Sequence, residues 1–108
     1  MKLNMHNIMQ QAQKVQQEIE RIKNDAEQKI VTADSGGGMV TVTMNGANKV
    51  LGIKISKETV DQNDIEMLED LIVAAVNKAS KEAADMVSAE MAKVTGMLPN
   101  IPGMSFNM

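Results

Sequence analysis

Three consecutive glycines, Gly36, Gly37 and Gly38, are the first residues of this 108-residue chain whose type and spacing could do chemistry. Successive glycine N–H groups can cradle phosphate oxygens, as in nucleotide-binding loops. Such a loop leads from a strand into a helix, usually with a Lys-Ser or Lys-Thr pair behind it. The stretch "GGGMVT" has no following lysine, and alternating apolar residues flank it on both sides. The glycines therefore read as a turn between strands.

The other candidates for chemistry fall away in the same manner. His6 is the only histidine and there is no cysteine, so no transition-metal set or thiolate nucleophile can be assembled. "DQNDIE", Asp61 to Glu66, begins like a calcium loop. Its fifth, sixth and twelfth positions hold Ile65, Glu66 and Ile72, where a calcium loop needs Asp or Asn, Gly and Glu. Helix capping is the better reading. Ser35, Ser56, Ser80, Ser88 and Ser105 sit in no nucleophile-elbow context. The expectation is a protein that is not an enzyme, with no cofactor, no metal and no small-molecule substrate.

The elements around these residues are legible from periodicity. Ile8, Ala12, Val15, Ile19, Ile22 and Ala26 recur at alternating steps of four and three, a heptad seam. The spacing predicts a long helix from Asn4 or Asn7 to Glu27, shaped to run as an arm along another helix. Gly36-Gly37 and Asn45-Gly46 are both two-residue hairpin signals. Two-residue loops would pair Ala33 with Val40 and Val31 with Val42, then Val42 with Lys49 and Val40 with Leu51. One face then collects Val31, Ala33, Val40, Val42, Met44, Leu51, Ile53 and Ile55. The other collects Thr32, Asp34, Thr41, Thr43, Asn48, Gly52 and Lys54, with Ile30, Met39 and Val50 among them. A slip by one residue would scramble this sorting, so a three-stranded antiparallel meander is expected. Beyond it, Ile65, Leu68, Ile72, Ala75, Val76, Ala79, Ala83, Met86, Val87, Met91 and Val94 keep helical spacing. That helix is expected to reach Thr95, with a break near Ser80 and Gly96 as its cap. The fold class is α+β in the order α-β-β-β-α. Residues 1–96 form one domain, and residues 97–108, "MLPNIPGMSFNM", form an irregular tail.

Net charge is −3 over the whole chain, and only one residue is aromatic. The acids are concentrated in Asp61, Asp64, Glu66, Glu69 and Asp70, where they suit the positive end of a helix dipole. Lys14, Glu18, Arg21 and Asp25 share one stripe of the first helix, where intrahelical pairing competes with phosphate contact as the use of the cations. No apolar window approaches the length of a membrane span, and the N-terminus has no signal-peptide core, so a cytoplasmic protein without membrane contact is expected.

Three stretches together resemble the YbaB/EbfC family of nucleoid-associated proteins: "NIMQQAQKVQQEIERI", "SGGGMVTVTMNG" and "EMLEDLIVAAVNKAS", with a tail, "GMLPNIPGM", that is also similar. The resemblance covers nearly the whole chain. It implies a bacterial protein of the cytoplasm and nucleoid, forming a tweezer-like homodimer whose first and last helices project as long arms and bind double-stranded DNA. Carried onto this sequence, the arm cations are Lys14, Arg21, Lys23, Lys78, Lys81 and Lys93. With no aromatic stacking platform, contact is expected through the duplex backbone rather than the bases. A protein-interaction or holdase-like coiled-coil module, using Met5, Met9, Met97, Met104 and Met108 at the arm root and tail rather than DNA, is the competing reading.

Overall fold

The structure, a computed structural model, describes residues 4–96; the expected tail at 97–108 lies outside the described residues. Helix α1 (Met5–Gln28), strands β1 (Ile30–Ser35), β2 (Val40–Asn45) and β3 (Val50–Ile55), a short 3-10 turn (Lys57–Thr59) and helix α2 (Ile65–Thr95) follow in order. The sheet is an antiparallel meander, β1-β2-β3. Asn4 caps α1 by accepting from the His6 N–H, and Asp64 caps α2 by accepting from the Met67 N–H. Both satisfy helix donors that would otherwise lack partners.

The expected meander is present, but both of its turns are longer than two residues. Ser35 pairs with Val40, and Ala33 with Val42, so Gly36 to Met39 form the first loop. Gly36, Gly37 and Gly38 all take positive φ, and using three left-handed residues in a row moves the register by two from the expected pairing. The second loop departs further: Val40 pairs with Ile55 and Val42 with Ile53. Asn45 does not stand at a turn corner. It ends β2 as a buried residue, its Oδ1 accepting from the Ala47 and Lys49 N–H groups and its Nδ2 donating to the Glu27 carbonyl. Asn48 takes the positive φ of 64° instead.

Both shifts are even, so the apolar face survives them. The exception lies at a bulge: Thr43 pairs with Gly52 but Met44 with Val50, leaving Leu51 as the extra residue. Val50 therefore stands opposite Met44 on the inner face, and Leu51 leaves the place expected for it.

α2 covers this face. Ala75, Ala79 and Ala83 are fully buried against Ala33, Val40, Val42 and Met44, and Leu68, Leu71, Ile72 and Val76 flank them. Alanines at this spacing let the helix lie close on the strands. The helix is unbroken at Ser80, contrary to the sequence expectation: the Ser80 hydroxyl donates to Asn48 Oδ1 at 2.6 Å. Gly96 does cap α2, with a right-handed φ of −66°.

α1 lies mainly on α2 and meets the sheet chiefly at β2, where Asn45 at the strand end bonds the Glu27 carbonyl. Ala26 and Met86 both approach Gly46, while further along Lys29 reaches Glu90 at 4.0 Å. Ile22 and Ala26 are buried, Ile8, Val15 and Ile19 half-buried and Ala12 exposed, so full burial of the heptad seam is confined to the C-terminal part of α1. The two helices run antiparallel off one end of the body, which gives the molecule extents of 72 × 25 × 16 Å.

Candidate nucleic-acid interface

The six cations singled out above do not form one cluster. Lys14, Arg21 and Lys23 are on α1, and Lys93 is near the end of α2, where the helices leave the sheet. Lys78 and Lys81 sit further back, on the stretch of α2 whose Ala79 and Ala83 are buried on the strands. The arm thus carries four of the cations and the back of the body two.

They differ more in what holds them. Arg21 Nε and Nη2 donate to Glu18 Oε2 at 3.0 and 2.8 Å, and Nη1 donates to Asp25 Oδ2 at 3.0 Å. The hydrogen bond to Glu18 is the largest of the effects that raise the Arg21 pKa above its ordinary value. Lys81 pairs with Asp85 at 2.9 Å, and that hydrogen bond raises its pKa. Lys93 pairs with Glu90 at 3.2 Å. Lys14, Lys23 and Lys78 are exposed and make no ion pair among the described residues. The stripe that sequence reading left between pairing and phosphate contact therefore divides: Arg21 is paired and Lys14 is open.

Glu90 is the junction of the arm. It is bonded by Lys93, approached by Lys29 from the end of α1, and feels the charge of Arg21. The Lys93 hydrogen bond is the first cause of its lowered pKa. Lys29 was missed in the sequence because it lies just beyond the heptad pattern, and its partner is 61 residues away. Lys49, Lys54 and Lys57 are likewise exposed and without an ion pair among the described residues. Their excess over acids is visible in the sequence, but no helical spacing marked them.

A groove of about 420 Å³ lies along Asn7, Gln10, Gln11, Lys14 and Val15. Side-chain amides and an ammonium are suitable donors to phosphate oxygens. Among the described residues there is no group of three or more His, Cys, Asp or Glu that could hold a metal ion. No described helix is long and apolar enough to cross a membrane.

A three-stranded meander under one long helix, with a second helix paired to it as an arm, defines a class of small arm-bearing α+β proteins. The chain belongs to the YbaB/EbfC DNA-binding family, whose family model matches residues 1–98. It is 48% identical over 101 residues to a nucleoid-associated protein of Acetivibrio thermocellus, covering 94% of this chain and 89% of that one. It is 50% identical over 101 residues to a nucleoid-associated protein of Alkaliphilus metalliredigens, covering 94% and 88%. The fold matches the crystal structure of an uncharacterized protein from Helicobacter pylori with a TM-score of 0.76 at 20% identity, over 88% of this chain and all of that one. Family and fold therefore agree with the resemblance drawn from the three sequence stretches.

Proposed function

We propose that the chain acts in the nucleoid as a homodimer that binds duplex DNA through its projecting helices, mainly by contacts to the phosphate backbone, in an architectural or regulatory role. Membership of a DNA-binding family supports the partner, and the names of its relatives support the nucleoid. The observation that carries the mode of binding is the pair of open cations on α1. Lys14 and Lys23 are exposed and have no ion partner among the described residues, so a phosphate meets them without displacing a carboxylate. Lys78 has the same freedom on the body. Arg21, Lys81 and Lys93 must share any phosphate with Glu18 and Asp25, Asp85, and Glu90. They are secondary contacts in this reading. No Trp or Tyr is present to stack on unpaired bases, which favours the duplex over a single strand.

The test is anisotropy of a labelled duplex titrated with protein at several salt concentrations, with single-stranded and scrambled duplex competitors. Backbone binding weakens steeply with salt and is displaced equally by the scrambled duplex. Absence of binding at low salt overturns the reading.

A second reading has its own observation. Met5 and Met9 are 73% and 60% exposed at the α1 N-terminal end, and flexible thioethers adapt to varied apolar clients. A protein-interaction or holdase-like module follows if neutralising Lys14 and Lys23 leaves client binding intact and no DNA is bound.

A further inference from the structure

The apolar seam of α1 outruns the helix that covers it. Ala26 and Met86 both approach Gly46, and Lys23 and Val87 line one small cavity beside it. The charge of Arg21 acts on Glu90. These neighbours fix the antiparallel register of the two helices. Counted on from Ala26 beside Met86, Thr95 at the end of α2 stands level with Gln17. Where the helices overlap, Ile22 and Val94 are only 3% and 5% exposed. From Gln17 to Met5, α1 runs on for about 18 Å at its usual rise of about 1.5 Å per residue. On that stretch the seam carries Val15, Ala12, Ile8 and Met5; Ala12 is exposed, and Met5 is 73% exposed.

The part of the chain that follows α2 suits this surface. Residues 97–102, "MLPNIP", offer Met97, Leu98 and Ile101 and carry no charge, and neither do the six residues after them. Pro99 and Pro102 cannot continue a helix. In the extended form that proline favours, at about 3.1 Å per residue, six residues reach about 19 Å, the length of the bare seam. An extended segment makes no hydrogen bonds within itself, so its carbonyls need donors from outside. Asn7, Gln10 and Gln11 line the groove that borders the seam at Val15, and side-chain amides are such donors.

We propose that residues 97–102 lie along the seam of their own α1, with Leu98 beside Ala12 and Ile101 beside Ile8. Position selects this occupant. The segment starts at Gly96, level with Gln16, and leaves α2 at the foot of the bare seam. So short a tether holds it at an effective concentration on the order of mM, which a separate apolar partner would have to exceed. Neither the seam nor the segment carries a charge, so the contact desolvates no ion. In that seat the segment braces the part of α1 that carries Lys14. The inference is independent of the DNA reading.

The test uses the full chain, which has no cysteine of its own. Leu98→Cys is combined with Ala12→Cys on the seam, or with Gln13→Cys, which points away from it. Disulfide formation under mild oxidation is followed by non-reducing gel electrophoresis. The Ala12 pair is expected to link within one chain about tenfold faster than the Gln13 pair, because tether length is the same and only the seat differs. Equal rates overturn the proposal. A link between two chains also overturns it and gives the seam to the segment of a second copy. Amide hydrogen exchange of the Leu98→Asp, Ile101→Asp variant is the second measurement. Exchange over residues 8–16 should rise by about tenfold while residues 20–28 stay at the wild-type rate. Unchanged exchange over residues 8–16 overturns the proposal.

Discussion

Gly46 donates its N–H to the Ala26 carbonyl at 2.7 Å and to the Lys29 carbonyl at 3.0 Å, which ties the β2–β3 loop to the last turn of α1. These acceptors belong to the helix end, where carbonyls lack intrahelical partners. A Cβ added at Gly46 would stand 2.7 Å from the Ala26 oxygen and 3.0 Å from its Cα. Backbone on that side cannot yield as a side chain could. Gly46→Ala is therefore expected to cost about 2 kcal/mol, the usual scale of overpacking. Gly52→Ala, in open space, should stay within about 0.5 kcal/mol. Urea unfolding of the two variants checks this; equal midpoints would show that the junction yields freely.

The alanine stripe makes a separate prediction. Ala75, Ala79 and Ala83 are all 0% exposed beneath α2. Ala79→Leu inserts three carbons where the helix already touches the strands. It is expected to destabilise by about 1–3 kcal/mol through overpacking. Ala84→Leu, one residue outside the buried stripe, should change stability by less than about 0.5 kcal/mol. Thermal unfolding followed by circular dichroism separates them.

How far these features could be read in the chain depended on which contacts were local. The heptad from Ile8 to Ala26 and the alanines of α2 report their own faces, because helical spacing alone decides them. The sheet faces were readable for the same reason, since only an odd shift exchanges them. The turn lengths were not, because Asn45 and Gly46 look like a hairpin corner until α1 supplies Glu27, Ala26 and Lys29 as partners. The bulge at Leu51 follows from that anchoring and was equally hidden. Among the cations, the neighbours of Arg21 were legible at three and four residues' distance, whereas Lys29 with Glu90 needed the packed helix pair.

The Glu90 junction predicts a pH dependence. Its folded pKa is lowered from the ordinary 4.5, first by the hydrogen bond from Lys93 and then by the charges of Lys93 and Lys29. A depressed carboxylate contributes stability that is present above the unfolded pKa and is lost as pH falls through the folded one. The fold should therefore lose stability as pH drops from above 4.5 toward the lower folded value, mostly through the Lys93 pair within α2. Glu90→Gln should lose the pH-dependent part of that contribution. The check is the difference in unfolding midpoint between wild type and variant across that window. A difference that stays constant with pH would mean that Glu90 carries no charge-dependent stability.

The arm cations give the last prediction, which rests on the DNA reading. Lys14 and Lys23 stand open, while Arg21 is held by Glu18 and Asp25. If the open lysines meet phosphates, Lys14→Gln and Lys23→Gln should each lower the slope of log affinity against log salt by about one for each contact removed. Binding should weaken equally on specific and scrambled duplexes, because phosphates carry no sequence information. Arg21→Gln should leave the slope nearly unchanged, since its charge is matched by Glu18 and Asp25 and three of its five N–H donors are engaged with them. The measurement is duplex anisotropy over a salt series for the three variants, after circular dichroism confirms the helices. A larger slope change for Arg21→Gln than for either lysine would mean that the carboxylates release the guanidinium on binding. The paired cations, not the open ones, would then be the principal contacts.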